Sequence, residues 1–120
     1  MEPERARKLL ERERERVVGE LGELRSERSE DDAELSAIDQ HPADVGTELF
    51  EEERDQSLID RLEHDLEAIE RAFRRLEQGT YGVSVESGAP IPDARLEAMP
   101  WADRTVEEQA RLEAQERNSG

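Results

Sequence analysis

The chain has no cysteine, which removes both disulfides and thiolate metal sites from consideration. Aromatic residues are scarce: Phe50, Phe73, Tyr81 and Trp101 make up 3% of the chain, too little bulk to line a deep ligand pocket. No apolar run approaches the roughly 20 residues that cross a bilayer. The opening Met1-Glu2-Pro3-Glu4-Arg5 lacks the basic-then-apolar layout of a signal peptide, so a cytoplasmic protein is expected. Basic charge is also in short supply. Asp and Glu number 33 against 17 Lys and Arg, a net charge of −16. Phosphate backbones are bound through a basic stripe that displaces counterions, so direct DNA or RNA binding is not expected. An anionic membrane surface would be repelled by the same charge, whereas a basic cleft on another protein would attract it.

What the chain does have is helix-forming charge. In 120 residues, 42% are charged and 33% hydrophobic, so a large globular core cannot be assembled. Two helices that share one narrow apolar seam need far fewer apolar residues. Low hydrophobicity with high net charge is also the signature of disorder, and periodicity has to decide between the two. From about Glu4 to Leu35 the sequence is rich in Glu and Arg, with Leu10, Val17, Leu21, Leu24 and Leu35 near a 3-4 seam. Gly19 and Gly22 each weaken that helix by about 1 kcal/mol relative to alanine. The second arm, about Thr47 to Gln78, carries the stronger signal. Its Ile59, Leu62, Leu66, Ile69, Phe73 and Leu76 step by 3, 4, 3, 4 and 3, an unbroken heptad seam that excludes simple disorder there.

Between the arms, Pro42 removes a backbone donor and pushes His41 out of helical geometry, and Gly46 precedes Thr47, the expected N-cap. The chain is therefore expected to double back near Pro42. The arms, each roughly 45 Å at about 1.5 Å per residue, would then pack antiparallel. Gly79 ends the second helix. Beyond it, Tyr81, Val83, Val85, Ile91, Leu96, Met99 and Trp101 form a local apolar cluster among glycines and prolines. Alternation at Val83 and Val85 suggests a short strand turning at Ser87-Gly88. This cluster is expected to pack on the Phe73–Leu76 end of the second helix, and helical composition returns from Thr105 to about Glu116.

Catalytic chemistry finds no support in these residues. There is no glycine-rich phosphate loop, and neither His41 nor His64 has a plausible partner. Carboxylates on exposed helices have nothing to desolvate them and raise a pKa. No enzyme activity and no cofactor are expected.

Two segments carry a resemblance. Arg75-Leu76-Glu77-Gln78-Gly79-Thr80-Tyr81-Gly82, followed by Ala94-Arg95-Leu96-Glu97-Ala98-Met99-Pro100, resembles the finger region of the DksA/TraR regulators. The turn Asp39-Gln40-His41-Pro42-Ala43-Asp44-Val45-Gly46-Thr47-Glu48 resembles the tip of that family's hairpin, closest to its Gram-positive branch. The match covers roughly residues 38–108. It implies an antiparallel coiled-coil hairpin with a finger at the open end, held in the family by zinc on two pairs of cysteines. In this chain Ser84, Ser87, Thr105 and Glu108 occupy those four positions. Hydroxyls are poor zinc ligands, and one Glu cannot hold a closed tetrahedral site. No metal is expected.

The expected fold is thus mainly α: a long antiparallel two-helix coiled-coil hairpin (1–78, tip about 38–47), a degenerate zinc-less finger-like region (79–108), and a C-terminal helix with a frayed tail (109–120). The resemblance implies a transcriptional regulator that enters the RNA polymerase secondary channel and acts through an acidic tip. Asp44 matches an acidic tip position. His41 stands where the best-studied members carry a second acid and Gly46 where they carry alanine, and Asp39 is placed to replace the missing acid in part. The partner implied is RNA polymerase, with a monomer favoured over a dimer. The alternative is a coiled-coil interaction or stress-response protein that kept the scaffold and lost polymerase regulation.

Overall fold

The computed structural model describes residues 1–37 and 45–119, with side-chain surroundings for 1–27 and 53–119. Among the described residues four helices follow one another: α1 (Pro3–Ala37), α2 (Val45–Gln78), α3 (Asp93–Ala98) and α4 (Val106–Ser119). The second arm starts two residues earlier than the sequence suggests, so Thr47 falls inside the first turn of α2 instead of capping it. Pro42 and its neighbours 38–44 lie outside the described residues. Among the described residues, no helix is long and apolar enough to cross a membrane.

The chain divides into two compact units, Arg14–Glu67 and Met1–Glu13 with Ala68–Gly120. In the first, Val17 and Leu21 of α1 and Ile59 and Leu62 of α2 are buried, each at most 5% exposed. Arg25 and Glu63 form an ion pair between the two helices. Residues 38–44 tether the helices, a reach of at most about 25 Å. The helix portions in this unit each run about 35 Å, so the tether is too short for a parallel pair. The two helices are antiparallel.

In the second unit Ala6 and Leu10 of α1 and Ile69 and Ala72 of α2 are all fully buried. Ala6 and Ala72 are absent from the leucine-based seam read from the sequence. Small side chains at such positions let helix backbones approach closely, which is why they escape a search for bulky residues. Helix α2 ends as its glycine suggests. Gly79 adopts φ +75°, its amide donates to the Leu76 carbonyl, and the Thr80 amide donates to the Arg75 carbonyl at 2.9 Å. This pair of bonds is a Schellman cap, and it turns the chain at the end of α2.

The region after the cap is organised by turns. Ser84 N–H donates to Ala89 O at 2.8 Å, Gly88 N–H to Ser84 O at 2.9 Å, and Ile91 N–H to Gly82 O at 2.9 Å. The strand expected at Val83 and Val85 reduces to a single bridge between Val83 and Pro90. Pro90 has no N–H to extend a ladder. Gly88, at φ +76°, closes the turn. Ile91, Leu96 and Ala102 form the local core, with Met1 and Tyr81 packed against it. Met99 is 37% exposed, contrary to the expected cluster, and Trp101 is half-buried.

Polar contacts tie this region to the helices of its own unit. Arg75 donates to the Trp101 carbonyl at 3.4 Å, and half-burial pulls its pKa below the usual arginine value. The Tyr81 hydroxyl donates to the Pro100 carbonyl at 2.8 Å. Burial pushes the Tyr81 pKa up to about 12, so the hydroxyl stays a donor. Arg5 of α1 pairs with Glu97 of α3 at 2.8 Å, and the Met1 ammonium pairs with Asp93 at 2.9 Å.

Candidate functional site

The sequence singles out two groups of residues. Of the tip group, Asp39, His41 and Asp44 lie outside the described residues. Gly46 falls in the first turn of α2, and its surroundings also lie outside the described residues. The second group is Ser84, Ser87, Thr105 and Glu108, and the structure brings all four together.

The assembly begins with local chemistry. Thr105 stands immediately before α4, and Glu108 is three residues later. The Thr105 amide donates to Glu108 Oε1 at 2.9 Å, and the Glu108 amide donates to Thr105 Oγ1 at 3.3 Å. This reciprocal pair is a capping box, which satisfies two of the amides a helix start leaves unpaired. The negative charge also lies in the first turn, where the helix dipole favours it. The Thr-x-x-Glu pattern stood in the sequence as a capping signal, yet those residues were singled out only as finger positions.

The 84–89 turn supplies the other half. Ser84 is 4% exposed, and its Oγ accepts the amides of Glu86 at 3.1 Å and Ser87 at 3.2 Å. Ser87 Oγ accepts the Ala89 amide at 3.2 Å. Both serine hydroxyls lie within electrostatic reach of the Glu108 carboxylate. The Ser87 hydroxyl, the Thr105 amide and the Ser84 hydroxyl, in that order of effect, hold the Glu108 pKa down at about 2. The carboxylate is ionised at neutral pH although the residue is only 4% exposed.

These four side chains do not fit a zinc ion. Three are neutral hydroxyls, and both serine oxygens already accept backbone amides. A cation at the centre would compete with those amides and would have a single anionic ligand. Among the described residues, no group of three or more His, Asp or Glu side chains is placed to hold a metal. Ser84 and Ser87 instead accept backbone amides of the 84–89 turn, and Thr105 and Glu108 cap the start of α4.

Comparison with known proteins gives the context. No protein-family model matches the chain. General stress protein 16O of Bacillus subtilis is 41% identical over 107 residues, covering 88% of this chain and 64% of the relative. The RNA polymerase-binding transcription factor DksA of Caulobacter vibrioides is 39% identical over 89 residues, 74% of this chain and 58% of the relative. The chain thus spans less than two thirds of the length of these curated relatives. Among solved structures, transcription factor DksA2 of Pseudomonas aeruginosa superposes with a TM-score of 0.56 at 27% identity, covering 92% of this chain and 87% of the other.

Proposed function

The chain belongs to the DksA/TraR family of transcription regulators, and from that premise we propose that it binds RNA polymerase and modulates transcription without bond chemistry of its own. In this reading the end of the α1–α2 pair that carries Asp44 enters the secondary channel, with Asp39 as a supporting acid. The observation that carries the proposal is the 39% identity to a relative named as an RNA polymerase-binding transcription factor. The net charge of −16 supports a protein partner over nucleic acid, because DNA and RNA would repel it. The α1–α2 seam supplies a scaffold stiff enough to present a carboxylate at one end. We place the protein in the cytoplasm, acting as a monomer, with the turn region at 79–108 serving as a metal-free finger.

In vitro transcription with purified polymerase tests the proposal, comparing the native chain with Asp44→Asn. The native chain should alter initiation, and the variant should bind but lose most of the effect. Equal effects from both would remove the tip from the mechanism.

A second reading has its own support. The 41% identity to a general stress protein favours a coiled-coil interaction protein that kept the scaffold and left polymerase behind. Absence of polymerase binding at micromolar concentration would select it.

A further inference from the structure

Residues 99–104 run between α3 and α4 and have no helical ladder to satisfy their carbonyls. Donors from elsewhere in the same unit do so instead. The Tyr81 hydroxyl donates to the Pro100 carbonyl at 2.8 Å, and Arg95 Nε donates to the Arg104 carbonyl at 2.8 Å. Arg75, in the last turn of α2, donates to the Trp101 carbonyl at 3.4 Å. The Val85 amide takes the Asp103 carbonyl and the Ala102 amide takes the Met99 carbonyl, both at 2.9 Å. Five of the six carbonyls from Met99 to Arg104 accept one of these bonds. Three of the five donors are side chains, and each reaches the segment from a different place: α2, the turn after Gly79, and α3.

The three side chains do not contribute equally. Arg95 makes a short, charge-assisted bond, a kind roughly twice as strong as a neutral one. Its acceptor, Arg104, immediately precedes Thr105, whose hydroxyl accepts the Glu108 amide at the start of α4. The Tyr81 bond is neutral, but Pro100 is buried, so loss of the hydroxyl would leave a carbonyl unpaired away from water. The Arg75 bond is longer than the usual range of about 2.7–3.2 Å and is the weakest of the three. We propose that Tyr81 and Arg95, with Arg75 in a lesser part, form a donor clamp on the 99–104 backbone. The clamp fixes the start of α4 to the turn region, a task that the side chains at 84, 87, 105 and 108 are unfit to perform through a metal ion.

Tyr81 and Arg95 are positioning residues in this arrangement, and their polar ends can be separated from their bulk. The Tyr81 ring packs against the Ile91, Leu96 and Ala102 core, so phenylalanine keeps that packing and loses the bond to Pro100. Methionine at 95 likewise keeps an apolar stem and loses the guanidinium. The proposal rests on the metal-free reading of residues 79–108 and is independent of polymerase binding.

Amide hydrogen exchange in the full chain, read by NMR with and without EDTA, tests the clamp. The reporters are the Ala102 and Val85 amides, which bond within and onto the segment. Tyr81→Phe should speed their exchange roughly tenfold, Arg95→Met should speed it more, and Arg75→Met less. The amides of Leu10 and Ile69, buried in α1 and α2, should keep their rates in all three variants. Reporter rates unchanged in Tyr81→Phe and Arg95→Met, with a wild type indifferent to EDTA, would overturn the clamp alone. Faster reporter exchange in the wild type on adding EDTA would overturn the metal-free reading and the clamp with it. An equal rise at Leu10 and Ile69 would show general destabilisation and also overturn the clamp. If Arg95→Met does not fold, Tyr81→Phe decides by the same criteria.

Discussion

Thr105 and Glu108 cap one another across the first turn of α4, each amide donating to the other's side-chain oxygen at 3.3 Å or less. Glu108 also lies near Ser84 and Ser87, whose hydroxyls help hold its pKa down. Removing the threonine hydroxyl tests the cap. Thr105→Ala should destabilise the protein by about 1 kcal/mol, as loss of an N-cap does. Urea denaturation at pH 7 measures it, and a change within a few tenths of a kcal/mol would mean the cap is not made.

The same four side chains predict indifference to chelators. A structural zinc contributes about 10–16 kcal/mol in small modules, so its removal is conspicuous where it is present. Here the thermal midpoint should be the same with and without EDTA. A drop of several degrees in EDTA would mean a metal is held after all.

The seam between α1 and α2 should behave as a tightly packed core. Leu10 and Ile69 are fully buried, and truncating either to alanine should cost about 2–5 kcal/mol. Val18, on the same helix as Leu10 but 50% exposed, should tolerate alanine within about 0.5 kcal/mol. Chemical denaturation of the three variants checks the contrast, and equal costs would contradict the described facing of α1.

Helix α1 also carries two correctable weaknesses. An added Cβ at Gly19 or Gly22 meets nothing within 4 Å, and both positions are exposed. Gly19→Ala and Gly22→Ala should each stabilise the protein by about 1 kcal/mol, since alanine loses less backbone freedom in a helix. A rise in thermal midpoint for each, near-additive in the double variant, is the expected result. A fall in either would show that the glycine serves a contact.

Much of the helical architecture was legible because it rests on local regularities. The 3-4 spacing from Ile59 to Leu76 located α2, and Gly79 marked its end to the residue. The alanines Ala6 and Ala72 were not legible, because a small side chain signals nothing until a partner helix covers it. The alternation at Val83 and Val85 looked like a strand, but Pro90 opposite allows only one bridge. The resemblance identified Ser84, Ser87, Thr105 and Glu108 as a set, and Thr-x-x-Glu carried its own capping signal. That the Ser84 and Ser87 oxygens are taken up by amides of their own turn could not be read from spacing, because it depends on how residues 84–89 fold. Asp39, His41 and Asp44 remain expectations from resemblance, and binding experiments must address them.

The most direct measurement of the functional account exploits the missing cysteines. Ala43→Cys places the chain's only thiol beside Asp44, where a thiol-linked photo-crosslinker can be attached to the otherwise native protein. On illumination with RNA polymerase, the crosslink should form inside the secondary channel near the catalytic centre and should disappear when another channel-binding protein is added in excess. Crosslinks confined to the polymerase's outer surface, or unaffected by that competitor, would contradict the account.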